Sequence, residues 1–225
     1  LADIIGTIKK DNALRQLFYY MALLVVFETE NLFIPGKYNI HSPLDDMIPF
    51  IPAFVIPYFL WYFFLIGTGL YFLFNSKEDF RKTFLSINLC TLIAVIVYAL
   101  FPNYLSLRPL TYGGDFFSQW VKWLQWFDSA TSVCPSLHVA VCLSLYFGVI
   151  NCNKFKNRLL IKISALILTV MICISTLYIK QHSVIDVVTG VLLGIVVYVY
   201  VYKIKEGEKN GKDGLAENSD QQVLR

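Results

Sequence analysis

Long apolar stretches separated by short polar ones dominate the 225-residue chain. A helix that crosses a bilayer needs about 20 mostly apolar residues. Four stretches meet that demand: residues 47–74, 83–101, 163–179 and 183–202. Two more complete the pattern. Residues 136–152 form a shorter apolar run with a histidine near its start, and the 17–27 run reaches spanning length only by extending through Arg15 and past Glu28 and Glu30. The expectation is an all-α integral membrane protein, a bundle of six transmembrane helices occupying residues 1–205. Residues 206–225 are polar and rich in Gly, Asn and charge; such a segment has too little apolar surface to bury, so a disordered cytoplasmic tail is expected there.

Composition agrees with this pattern. The chain is 56% hydrophobic with a mean hydropathy of +0.57, far more apolar than one soluble core requires. With both termini cytoplasmic, the inner segments collect Lys9, Lys10, Arg15, Lys77, Arg81, Lys82, Lys154, Lys156, Arg158, Lys162, Lys203, Lys205, Lys209, Lys212 and Arg225. These are fifteen of nineteen basic residues, and the asymmetry follows the positive-inside rule without having been used to choose the spans. The same dispersal of charge among apolar runs argues against nucleic acid as a partner, despite the net charge of +3. The five cysteines (Cys90, Cys134, Cys142, Cys152 and Cys173) show no metal-ligand spacing and read as small buried hydrophobes rather than a disulfide framework. No cleavable signal pattern is visible, so the first span is expected to serve as its own insertion signal.

The long outer connection, residues 102–135, holds Trp120, Trp123, Leu124 and Phe127 at helical spacing. That pattern predicts an interfacial helix over residues 116–127, which either anchors the protein at headgroup level or lines a lipid entrance. Gly190 and Gly194 in the last span are expected to let helices approach closely.

An ionisable group inside a span costs roughly 2.5 to 3.5 kcal/mol on insertion scales, so each exception asks for a reason. Several exceptions fall at the outer ends of spans: Arg108, Ser136, His138, Lys180, His182 and Asp186. His182 and Asp186 stand four apart and share a helical face, so the carboxylate can hold one ring nitrogen while the other meets a substrate. Arg108 and Lys180 suit a phosphate, and helix starts at Ser136 and His182 would add backbone N–H donors. Taken singly, Ser136 reads equally well as an N-cap after Pro135, Lys180 as a snorkelling cation, and His41 as a structural histidine. Taken together, groups arriving at one surface from distant segments point to a site.

The residues Arg108-Pro109, Pro135-Ser136-Leu137-His138 and Ser175, His182 and Asp186 follow, in order, the three motifs of the type 2 phosphatidic acid phosphatase superfamily, which the chain resembles from about its second span to Tyr202. The stretches around Pro135 and His182 are also similar to inositol phosphorylceramide synthases. The pattern departs at three positions: Phe101 stands where the first motif has lysine, Leu137 where the second has glycine, and Thr176 where the third has arginine. Lys180 is a candidate to restore part of the lost charge.

The resemblance implies a six-helix membrane enzyme with its site at the extracytoplasmic face. His182 would attack phosphorus, Asp186 would orient it and His138 would protonate the leaving oxygen. Arg108, Ser136 and Lys180 would hold the phosphate, with no metal and no cofactor. The expected partners are a lipid phosphate substrate and the surrounding membrane lipids. Transfer of the phosphoryl group to water makes a phosphatase, whereas transfer to a lipid or inositol hydroxyl makes a phosphotransferase. The compact chain favours water. The competing classes are a non-enzymatic lipid-binding bundle and a small-solute transporter, the latter disfavoured because the ionisable groups gather at one face.

Overall fold

The computed structural model describes residues 12–204, and the predicted tail, together with Lys9 and Lys10, lies outside them. Within the described residues the protein is mostly helical: α1 (Asn12–Phe33), α2 (Pro43–Met47), α3 (Val55–Asn75), α4 (Lys77–Leu100), α5 (Phe116–Phe127), α6 (Leu137–Asn151), α7 (Leu159–Tyr178) and α8 (Val184–Tyr198). A two-residue parallel pair, β1 (Tyr38–Asn39) with β2 (Asn103–Tyr104), ties the α1–α2 connection to the loop after α4. Four helical stretches are long and apolar enough to cross a membrane: Pro52–Asn75, Lys77–Leu100, Leu159–Tyr178 and Val184–Ile204. α6, at 15 residues, is shorter. These apolar helices fit a membrane protein.

Local chemistry explains where the boundaries differ from the hydropathy pattern. The 47–74 run is not one helix, because Pro49 and Pro52 remove amide donors and disfavour a helical residue before them. The chain instead makes the short helix α2, then a 3₁₀ turn at Pro52–Phe54, and only then α3. In contrast, α4 starts six residues before its apolar stretch. Ser76 caps it by accepting from the Asp79 N–H, and Glu78 and Asp79 complement the positive end of the helix dipole. The last helix closes in a π-helical turn, Val199–Ile204, which hydropathy does not signal. The predicted helix over 116–127 is present as α5, with Asp115 as its N-cap.

α6 is the hub, packed against α3, α4, α7 and α8, while α1 packs chiefly on α4. Its flanks are fully covered: Val139, Ala140, Cys142 and Leu145 are all inaccessible. Large apolar side chains such as Phe63, Phe74, Leu160 and Val196 instead point outward from the bundle, as lipid-facing positions do.

Two contacts set the polarity of the bundle. Thr83, near the start of α4, lies against Gly148 at the end of α6 and beside the Tyr202 hydroxyl at the end of α8. The starts of α6 and α8 therefore share the opposite end. There α8 crosses α6 closely at Gly190, where a β-carbon would stand 2.6 Å from the Ser136 carbonyl oxygen, and at Gly194, where it would stand 3.0 Å from Leu143. Both glycines serve close approach.

A backbone oxygen cannot swing aside as a side chain can. Gly190→Ala is therefore expected to push α8 off α6, at an overpacking cost of about 1 to 3 kcal/mol. Thermal unfolding of the purified protein in detergent checks this, and an unchanged midpoint would remove the close crossing from the account.

Candidate active site

The turn between α7 and α8 is built from backbone. The Ile179 N–H donates to Ser175, and the Gln181 and His182 N–H groups both donate to the Thr176 carbonyl, at 2.9 and 3.1 Å. Lys180 takes φ = 58° to close the turn, a left-handed conformation that costs a non-glycine residue about 1 kcal/mol. Its ammonium offsets this by donating to the carbonyls of Asp45 (2.7 Å) and Ile48 (2.5 Å). Burial lowers the Lys180 pKa from its ordinary value.

His182 ends this turn and Ser183 caps α8. The Ser183 N–H donates to Asp186 Oδ2 at 2.8 Å in a capping box, and the Val184 N–H donates to Asp45 Oδ1 at 2.8 Å. Asp45 Oδ2 also accepts from the Ser183 hydroxyl at 2.7 Å. Two buried carboxylates, one from α8 itself and one from α2, thus occupy the positive end of α8. The N–H groups there are consequently not free for a substrate.

His182 Nδ1 lies 3.4 Å from Asp186 Oδ2, and its Nε2 lies 3.5 Å from His138 Nδ1. His138, in the first turn of α6, is wedged between aromatic rings of α3: Tyr58 at 4.7 Å and Trp61 at 4.8 Å between centroids. The Trp61 indole also donates to the His138 carbonyl at 3.2 Å. The start of α6 is pinned from three sides. The Ser136 N–H donates to the Asp186 carbonyl, the Tyr98 hydroxyl donates to the Pro135 carbonyl, and Asn103 bonds both the N–H and the carbonyl of Cys134.

The two imidazoles face one cavity. Its polar wall is Asp128, Ser129, Thr131, Ser132 and Gln181, and its apolar wall comes from Tyr20, Leu24 and Phe27 of α1, with Trp61 and Val141. The expected triad is therefore brought together. The three residues expected at the phosphate are turned elsewhere.

Ser136 is fully buried and acts as the N-cap of α6, its oxygen accepting from the Val139 N–H at 3.4 Å. Arg108 spends its guanidinium on the carbonyls of Gln125, Asp128 and Ser129 at 2.7 to 2.8 Å, which braces the polar wall from behind. Its burial lowers its pKa from the usual guanidinium range. Lys180 lines no part of the cavity. Nor do the two positions lacking motif cations: Phe101 stacks on Tyr38, and Thr176 is buried with its hydroxyl on the Cys173 carbonyl. His41 pairs with Asp46 at 2.9 Å, away from the site.

A family model described as the PAP2 superfamily matches residues 83–209. The chain belongs to the PAP2 superfamily. No curated protein and no solved structure matches it. Membership in the PAP2 superfamily brings phosphatase-like or phosphotransferase chemistry in general, and the matched region holds both histidines and Asp186.

Sequence reasoning missed two carboxylates in this PAP2 site. Asp45 had a signal, since Ser42-Pro-Leu-Asp45 is a capping-box pattern, and the Ser42 N–H does donate to Asp45 at 2.7 Å. Its second role on α8 is purely tertiary. Asp128 is the only acidic residue between Asp115 and Asp186, an isolated charge that could have been singled out as the histidines were.

If Lys180 braces the turn rather than holding phosphate, Lys180→Met lowers the thermal midpoint while KM for the lipid stays within about twofold. Lipid-dependent kinetics beside a melting curve checks this; a raised KM at unchanged stability would return Lys180 to the substrate.

Proposed function

We propose that this protein is an integral membrane enzyme of six spans (α1, α3, α4, α6, α7 and α8) that breaks a phosphate ester of a lipid through a phosphohistidine on His182. The observation that carries the proposal is the meeting of His138, at the start of α6, with His182, in the turn before α8, at one cavity, with Asp186 of α8 against the far side of the His182 ring. With the Nδ1 proton shared with Asp186, His182 Nε2 keeps its lone pair for phosphorus. As the ring gains positive charge, the 3.4 Å contact to Asp186 would tighten.

His138 is the acid that protonates the leaving oxygen and then the base for the incoming hydroxyl. In-line displacement puts nucleophile and leaving oxygen on opposite sides of phosphorus, so His182 Nε2 and His138 Nδ1, now 3.5 Å apart, would have to part by roughly 3 Å to admit the phosphoryl group. Leu137 and His138, in the first turn of α6, line the cavity, and their N–H groups at the positive end of the helix would serve as donors to the phosphate. The apolar wall from α1 suits an acyl chain. The site would face the extracytoplasmic leaflet, a reading supported by the charge asymmetry, since fifteen of the nineteen lysines and arginines fall in the segments at the opposite helix ends.

Transfer of the phosphoryl group to water, hydrolysing a lipid phosphate, is the first course open to this intermediate. One observation favours the second course, transfer of a phospho-headgroup to another hydroxyl. Among the described residues no lysine or arginine lines the cavity, so a doubly charged monoester finds little compensation there.

His182→Ala is expected to abolish a trapped phosphoenzyme and to lower turnover by about 10³-fold or more. Turnover by the purified wild type is expected to persist in excess chelator. A phosphoenzyme that survives in His182→Ala, or strict dependence on added metal, would overturn the mechanism.

A further inference from the structure

Asp128 projects a carboxylate into the same cavity as the two histidines. One oxygen is doubly engaged: Oδ2 accepts from the Tyr58 hydroxyl at 2.6 Å and from the Gln181 amide at 2.8 Å. Neither bond uses Oδ1. Arg108 stands behind this wall with Nη1 and Nη2 on main-chain carbonyls, including that of Asp128, and it does not line the cavity. A substrate phosphate would therefore meet one carboxylate in the wall, a second beneath His182, and no facing cation among the described residues.

We propose that Asp128 is a specificity-determining residue that selects a lipid phosphodiester whose headgroup carries hydrogen-bond donors, hydroxyl or ammonium, over a phosphomonoester. The proposal rests on His182 acting as nucleophile and names the substrate class of that same site. A monoester carries close to two negative charges at neutral pH and a diester one, so like-charge repulsion from Asp128 falls harder on the monoester. The free oxygen accepts a donor from the headgroup, an interaction that a bare phosphate cannot offer.

The chemistry balances. The bond from His182 Nε2 to phosphorus forms as the phosphorus–oxygen bond to diacylglycerol breaks, and the His138 proton goes to the glycerol oxygen. The headgroup stays on the phosphoenzyme against Asp128. An incoming hydroxyl, from water or a lipid, then forms its bond to phosphorus, gives its proton to His138 and frees His182.

Asp128→Asn is the informative change, because the remaining carbonyl oxygen can still accept from Tyr58 and Gln181 while a neutral amide replaces Oδ1. Full-length purified protein is assayed for diacylglycerol release from phosphatidic acid, phosphatidylinositol and phosphatidylethanolamine. The wild type is expected to prefer one or both diesters, the two distinguishing hydroxyl from ammonium donors. Asp128→Asn is expected to shift the ratio of kcat/KM towards phosphatidic acid by about tenfold or more. A second measurement needs no variant: lowering the pH through the second ionisation of the monoester, near about 6, should improve phosphatidic acid relative to the diesters. The groups that face the phosphate are His138, His182, Asp186 and Asp128, and the same pH series on Asp128→Asn isolates the part of the change that comes from the lipid's own ionisation. An unchanged ratio in Asp128→Asn, or a wild type that prefers phosphatidic acid, overturns the proposal while a dead His182→Ala leaves the catalytic reading standing. Activity retained in His182→Ala overturns that reading itself.

Discussion

The start of α8 is held by two carboxylates, and the geometry of the site follows from that constraint. Asp186 caps the helix from within and Asp45 caps it from α2, so the first N–H groups and the Ser183 hydroxyl are all satisfied away from water. Buried polar groups of this kind are costly unless paired, which leaves the helix start little freedom to shift. His182 is the residue before this cap. Its ring is therefore delivered to the cavity by a backbone that cannot easily take another path.

The same junction joins two other parts of the molecule. The Asp186 carbonyl accepts from the Ser136 N–H, so the start of α6, and with it His138, is referenced to α8 by a main-chain bond. The glycine crossing at Gly190 lets the two helix starts come close enough for that bond. On the other side, Lys180 ties the turn before His182 to the carbonyls at the end of α2. Residues that suggest phosphate binding by their charge are thus spent on holding backbone, and the same is true of Arg108. A cation at a membrane surface has two uses, and side-chain type does not distinguish them.

Much of the architecture was legible because hydropathy is a strong signal where lipid is the solvent. The long apolar helices, the helix at α5 and the close approach at Gly190 and Gly194 could all be read from spacing. The start of α3 could not be placed by apolarity, since prolines at 49 and 52 interrupt an unbroken hydrophobic run, although proline rules alone would have moved it. Within the site, His182 and Asp186 were readable as a pair from their four-residue spacing, although the helix starts only at Val184 and His182 meets Asp186 from the turn before the cap rather than from a shared helical face. His138 was readable by its place in a motif. Asp45 and Asp128 each carried a local signal, a capping pattern and an isolated charge, but their partners were not readable, because each acts on an element far away in the chain: Asp45 on Val184, and Asp128 with Tyr58 and Gln181. Periodicity carries information about neighbours on one element, not about partners brought together by packing.

Tyr58 has two jobs in one side chain. Its ring rests on the His138 imidazole and its hydroxyl grips the Asp128 carboxylate. Anything that rotates or removes this phenol disturbs proton transfer and the cavity wall at the same moment. The two properties are mechanically geared, so a redesign aimed at a new headgroup cannot treat α3 as inert scaffolding.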